Sequence, residues 1–510
     1  MFRKGGKRMR KGLIGLFVMA LLAVTAFGIG ESAAAESEYK ETMTLVTAVE
    51  TSTLDPRMGN SAQNSIPMEF VYNNLVKLDR NTGDVIPVLA VSWDFVDPTH
   101  LRLRLRENVK FSNGDPFTAE DVYYCFSRAK DHSTSKSTMS WLDIENTKVV
   151  DDHTIVLAMY TPYSPVFYVL ANGRTYIASK KAMEAMGEDA HARNPVGTGP
   201  YKLVEWKSGT SMTFTRNENY WDTPALTKNL VLNIVPEASG RVIELETGNA
   251  DFAYYIEASD IARVKNIEGF HVEQGDTERY FLVTLSMEEP LFQKKEVRYA
   301  LSLAIDKEAL VDACFDGAAK VLTGMYSPII PGFKEYGVMP YDIEKAKQLL
   351  AEAGYPDGFK IELHVLPSTQ FQRLAEAVQA MWSQIGVQAE IVTSELATYE
   401  AQKGGKFQAA IRDGNAGEVS NILIIYEISF GSRLQPNDKV LDGMLQEIKT
   451  IYDKEEKEKK LHEVQDYIYD MRYTIPFATV PAVYGVSDKL EGFEFNIPYE
   501  LRVAKWGIKK

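Results

Sequence analysis

The chain has 510 residues, 45% of them apolar and 25% charged, with 70 acidic side chains against 56 basic ones. That length exceeds what one hydrophobic core supports, and the composition excludes a disordered, collagen-like or coiled-coil protein. A net charge of −14 argues against nucleic acid or an anionic membrane as the main partner, because both select a basic surface.

The first segment reads as a targeting signal. Six cations from Arg3 to Lys11 precede an uncharged apolar run from Leu13 to Ile29, and Ala33-Ala34-Ala35 follows. These are the basic, apolar and small-residue parts of a secretory signal, so residues 1–35 are expected to be cleaved near Ala35; an uncleaved anchor is the alternative. No cysteine follows the apolar run, so a lipoprotein is not expected. Removing the six cations and Glu31 takes the net charge from −14 to −19. The mature chain should be exported, periplasmic and soluble.

Downstream, strand and helix patterns alternate, which implies a mixed α/β protein. Leu101, Leu103 and Leu105 alternate with Arg102, Arg104 and Arg106, the period of a half-buried strand. Asn113-Gly114-Asp115-Pro116 marks a turn, and Thr118 with Asp121 resembles a capping box opening a helix. Val297, Ala300, Leu301 and Ala304 form one apolar helical stripe. Asp342 can cap a helix buried through Ala346, Leu349, Leu350 and Ala353. Phe371, Leu374, Ala375, Val378, Met381, Trp382 and Ile385 form a third stripe, with Gly386 as its stop, and Leu461, Val464, Ile468 and Met471 form a fourth. Cys125 and Cys314, the two cysteines, fall in separate helix-like segments and read as small buried hydrophobes.

Signatures of chemistry are absent. The seven histidines are scattered, none within a helical turn of another and none beside a cysteine, so metal-ligand spacing is missing and no cofactor is expected. There is no Gly-x-Ser-x-Gly elbow. Gly197-Thr198-Gly199 is followed by Pro200 and a strand-like run, whereas a phosphate loop needs a helix N-terminus there.

Several segments taken in order resemble the family 5 extracellular solute-binding proteins of ABC importers, the group of dipeptide-, oligopeptide- and nickel-binding proteins. They are Leu54-Asp55-Pro56, Tyr72-Asn73-Asn74-Leu75-Val76, and Leu105 to Phe111 leading into Asn113-Gly114 and Thr118-Ala119-Glu120-Asp121-Val122. Pro195 to Tyr201, Arg216 to Trp221, and Val297-Arg298-Tyr299-Ala300-Leu301 with Ala304-Ile305-Asp306 continue the series. The resemblance implies a two-lobed periplasmic-binding-protein-like α/β fold of the large cluster C type, with an extra subdomain in the first lobe and two hinge crossovers. Carried onto this chain, lobe 1 takes 36–82, 192–285 and 487–510, the inserted subdomain 83–191, and lobe 2 286–486. It also implies a non-enzymatic, monomeric receptor that encloses a peptide or peptide-like solute and passes it to a membrane permease.

In the peptide-binding members an aspartate of the second lobe pairs with the ligand amine. Asn415 falls at that position, with Asp413 two residues away and the accompanying tryptophan missing. The expected pocket is therefore Met58 and Asn60 facing Arg412, Asp413 and Asn415, with Tyr254 and Tyr426 as apolar walls. In this reading Arg412 takes a carboxylate and Asp413 an ammonium; the alternative is an exposed turn. A nickel chelate, an oligosaccharide or an opine-like compound are the other solutes, and an exported hydrolase or a chaperone-like or signalling receptor the other functions.

Overall fold

The computed structural model of the chain describes residues 38–58, 62–79, 82–133, 135–136, 138–330, 332–394, 407–414, 438–494 and 503–510. Residues 1–35, Asn60, Asn415 and Tyr426 lie outside them. Among the described residues no helix is long and apolar enough to cross a membrane.

Alternating and continuously apolar strands build three main sheets. The first has seven strands in the order Phe270–Gly275, Ala482–Ser487, Phe252–Ala253, Thr42–Thr47, Asn229–Ile234, Ser211–Arg216 and Tyr201–Lys207. Its middle strand Thr42–Thr47 runs parallel to both neighbours. A four-stranded antiparallel sheet joins Ala90–Asp97, His100–Leu105, Thr154–Met159 and Leu142–Asp151. Here Leu101, Leu103 and Leu105 are buried and Arg104 is exposed, as a period of two requires. The following helix Ala119–Asp131 starts as expected, with the Thr118 amide donating to the Asp121 carboxylate at 2.9 Å. Gly197 and Gly199 have a packing reason: a Cβ on either would overlap the backbone of Val71, and the Gly199 amide donates to the Val71 carbonyl at 3.0 Å.

The second half of the chain builds a six-stranded sheet ordered Lys320–Val321, Thr474–Thr479, Tyr280–Leu285, Ala409–Gly414, Lys360–Val365 and Gln388–Thr393. The helices expected there are present. Thr369–Ser383 buries Phe371, Leu374, Ala375, Val378 and Trp382 behind its Ser368 cap, and Gly386 beyond it has φ 82°. Ile343–Glu352 is capped by Asp342, which accepts from the Lys345 amide at 2.9 Å. Lys295–Leu303 and Lys454–Met471 bury the other two stripes.

Among the described residues two large cores result, with a small one around Val242, Leu245 and Val264 and another at Phe407 and Ala410. One runs from Met43 to Tyr254 and resumes with Ala482 to Ile508; the other runs from Tyr280 to Ala478. Cys125 lies in the first and Cys314 in the second, both as free thiols. The fold is mixed α/β and two-lobed. The chain passes from the seven-stranded to the six-stranded sheet through 276–279 and returns through 480–481. The two passages are hydrogen-bonded side by side: the Val480 amide donates to the Arg279 carbonyl at 3.2 Å, and the Thr277 hydroxyl to the Val480 carbonyl at 2.6 Å.

Candidate functional site

Three segments carry the candidate residues. In the first, Asp55-Pro56 opens a short 3₁₀ turn, Pro56–Met58, because proline presets the backbone angle such a turn needs. Asp55 is buried but compensated, accepting from the Arg57 amide at 3.0 Å and from the Arg57 Nε at 3.0 and 3.1 Å. Arg57 also donates to Glu188 at 2.7 Å, and Glu188 accepts from Arg128 Nε at 2.8 Å. Arg128 returns to within 3.8 Å of Asp55, which closes a ring of four charges. Burial alone raises the Asp55 pKa, but Arg57 outweighs it and the net shift is downward. The Arg128 and Arg57 bonds hold Glu188 at about 2 against its opposing burial. Met58 is half-buried, its amide bonded to the Asp55 carbonyl at 2.9 Å.

Beneath this turn, Tyr72 donates to the Leu54 carbonyl at 3.0 Å and stacks on His191. His191 Nε2 accepts from the Val196 amide at 3.1 Å, so the proton of the neutral ring sits on Nδ1, which has no hydrogen-bond partner. Burial lowers the His191 pKa to about 4.

The second segment corrects an expectation. Tyr254 is 1% exposed inside an aromatic cluster, 4.9 Å from Phe252 and 5.8 Å from Tyr484. It is a core residue and not a wall. The neighbouring Tyr255 is half-buried, holds φ at 57°, and borders a cavity of about 30 Å³ with Thr47, Thr51 and Pro67. A left-handed tyrosine is costly and persists only where the surroundings fix it. Arg241 fixes it. This arginine is 2% exposed and donates to the carbonyls of Val235, Pro236, Tyr254 and Tyr255 at 2.6–3.1 Å.

The third segment is the strand Ala409–Gly414, and here strand alternation separates two residues that the sequence places together. Asp413 pairs across the ladder with Phe281, on the face of the second core, and Arg279 Nε donates to it at 3.0 Å. That ion pair is open to water, with side chains 44% and 37% exposed. Arg279 also lies over the Phe281 ring at 4.9 Å. Arg412 points to the other face, 4% exposed, with its guanidinium 4.8 Å over Phe407. On that face Ala410 registers with His364, and His364 Nε2 lies 2.9 Å from Glu362. The carboxylate and ammonium of one solute therefore cannot reach Arg412 and Asp413 on a single strand face, as their spacing suggests.

Sequence reasoning missed Arg279, Tyr255, Arg241, Arg128 and Glu188. Arg57 directly follows Leu54-Asp55-Pro56, a segment already singled out. Among the described residues no cluster of histidine, cysteine and carboxylate side chains could hold a metal ion.

The chain matches the family of bacterial extracellular solute-binding proteins, family 5 (middle), over residues 84–431. It is 29% identical over 461 residues to heme-binding protein A of Haemophilus influenzae, covering 83% of this chain and 84% of that one. It is 30% identical over 389 residues to the dipeptide-binding protein of Escherichia coli, covering 70% and 72% respectively. An ABC transporter-associated periplasmic binding protein of Helicobacter pylori, solved in complex with the peptide STSA, superposes with a TM-score of 0.79 at 23% identity, covering 92% of this chain and 99% of the other.

Proposed function

The chain belongs to family 5 of the bacterial extracellular solute-binding proteins, transport receptors and not enzymes, and from that premise we propose that it captures a peptide or peptide-like solute between its two lobes and hands it to an ABC importer. The observation that carries this reading is the pair of adjacent crossovers at 276–279 and 480–481, joining two cores that share no buried residue. Two parallel connections make a hinge, and a hinge lets one lobe close on the other. We place the lobe edges at these crossovers, slightly before Ser286 and Val486, because the strand Tyr280–Leu285 bonds only within the six-stranded sheet. The segment 83–191 is the proposed subdomain of lobe 1. The protein acts as a monomer, exported with residues 1–35 removed and without a lipid anchor.

The peptide assignment draws on the dipeptide-binding relative and the peptide complex; the heme-binding relative keeps a non-peptide solute as the second reading. The proposed solute wall comprises Met58 and Asn60 on one side and Asp413, Asn415 and Tyr426 on the other, with Tyr255 in place of Tyr254; Arg412, buried on the opposite face of its strand, is left out of it. An incoming amine competes with Arg279 for Asp413. Asp413→Asn should therefore change solute affinity by about 1 kcal/mol or less, below the roughly 2–5 kcal/mol of a buried charge pair.

Mass spectrometry of solute carried through purification, followed by thermal melting against peptide libraries, tests the reading. A peptide at a hundred times its Kd should raise stability by about 2.7 kcal/mol. Scattering should show a smaller radius of gyration with that peptide. Melting unmoved by every peptide while heme or another solute raises it would replace the peptide, and steady product release would replace the receptor.

A further inference from the structure

The hinge is not the only bridge between the two halves of the chain. The short stretch 449–457 comprises the connection from the helix Lys439–Ile448 and the first turn of the helix Lys454–Met471, and both helices pack into the second core through Leu441, Leu445, Ile448 and Leu461. That stretch is gripped from outside by residues of 82–168. The Ser164 amide donates to the Lys449 carbonyl at 2.6 Å and its hydroxyl to the Ile448 carbonyl at 3.2 Å. These are carbonyls at a helix C-terminus, which have no partner within the helix. Tyr452 uses its hydroxyl twice, accepting from the Tyr163 amide at 3.0 Å and donating to the Pro98 carbonyl at 3.2 Å. Its ring meets Phe95 edge-on at 4.8 Å. Lys454 bonds the Thr82 carbonyl and lies 3.4 Å from Asp84.

We infer that 449–457 is a clasp through which the inserted subdomain holds the second lobe closed. The inference rests on the receptor reading and on the lobe division proposed with it. The chemistry of the contact suits one that opens and shuts. Tyr452 is 43% exposed, Phe95 is 36% exposed, and neither belongs to the buried set of a core. Separating the surfaces therefore exposes little apolar area, and water can replace the hydrogen bonds. Rotation about 276–279 and 480–481 must break these contacts, because each side moves with its own core. The clasp thereby adds to the closed population whatever the solute, and apparent affinity scales with that population.

The clasp is tested on the solute-free full chain by single-molecule FRET between dyes on cysteines introduced at exposed Lys207 and Glu352; the native thiols are buried and do not compete. Tyr452→Phe keeps the ring and removes both hydroxyl bonds. Combined with Ser164→Ala and Lys454→Ala, it should lower the closed-to-open ratio about tenfold. The pair Ser164→Cys and Lys449→Cys, oxidised and then labelled with an orthogonal dye chemistry, should give a single closed distance that urea midpoints show to be fully folded. Equal distance distributions in the parent, the triple variant and the oxidised pair would overturn the clasp, since the contact would then be permanent. That result leaves the receptor reading standing, which fails separately if no solute stabilises the parent chain.

Discussion

Four charged side chains close a ring around Asp55, and two meet at Asp413, but water reaches the two places very differently. Three of the four, Asp55, Arg57 and Arg128, keep side-chain exposures of 12%, 15% and 10%, while Glu188 closes the ring from its open side at 48%; Arg279 and Asp413 are 44% and 37% exposed. The shielded members cannot lose Asp55 without leaving two arginines short of their buried partner, so the energy of the ring goes into fixing the turn that carries Met58. An exposed pair is worth little and exchanges partners readily. Within the proposed site this assigns Asp413 to contact with the solute and the Asp55 ring to holding its wall still.

The sharpest way to break this contrast is Asp55→Ala. It leaves Arg57 with only the exposed Glu188 as partner and should lower the unfolding free energy by about 2–3 kcal/mol in a urea titration; a loss under about 1 kcal/mol would place the ring with the surface pairs. Of similar size, Arg241→Met leaves four carbonyls without their cation and frees Tyr255 from its left-handed backbone. A loss of about 3 kcal/mol is expected by the same measurement.

Acid extends the comparison to the floor of the turn. His191 has a folded pKa of about 4 against 6.5 when unexposed to the fold, so between these values the unfolded chain binds the extra proton. Its contribution to stability is full above pH 6.5 and falls as pH drops towards 4. The unfolding free energy of the parent relative to His191→Gln should therefore decline by roughly 2–3 kcal/mol from pH 7 to pH 4. Glu188, held at about 2, keeps its contribution until pH falls below its ordinary 4.5, and so leaves the upper part of that window to His191. A pH-independent difference would mean that His191 is already relieved by solvent. The smallest effect belongs to the exposed pair: Asp413→Asn should alter stability by less than about 1 kcal/mol, and a larger loss in urea would make it structural.

The sequence by itself determined the local elements. Alternating leucines from Leu101 to Leu105 could only make a half-buried strand, and Asp342, Ser368 and the apolar stripes behind them start and face their helices without outside help, because capping and periodicity act within a few residues. The ordered family segments carried the two-lobed receptor fold for a similar reason: each is a local pattern, and their succession is written along the chain. Tertiary structure alone decided the site. Arg412 and Asp413 are neighbours in sequence, but strand alternation turns them to opposite faces. Tyr254 and Tyr255 are chemically alike, and only the Phe252 and Tyr484 rings packed on the one, and Arg241 reaching from a separate helix to fix the other, make them a core residue and a strained border of the cavity. Arg279 reaches Asp413 across 134 positions, and Arg128 reaches Glu188 across 60. No short-range pattern encodes such pairings, because a charge selects its partner by distance in space, and that distance exists only after the chain has folded.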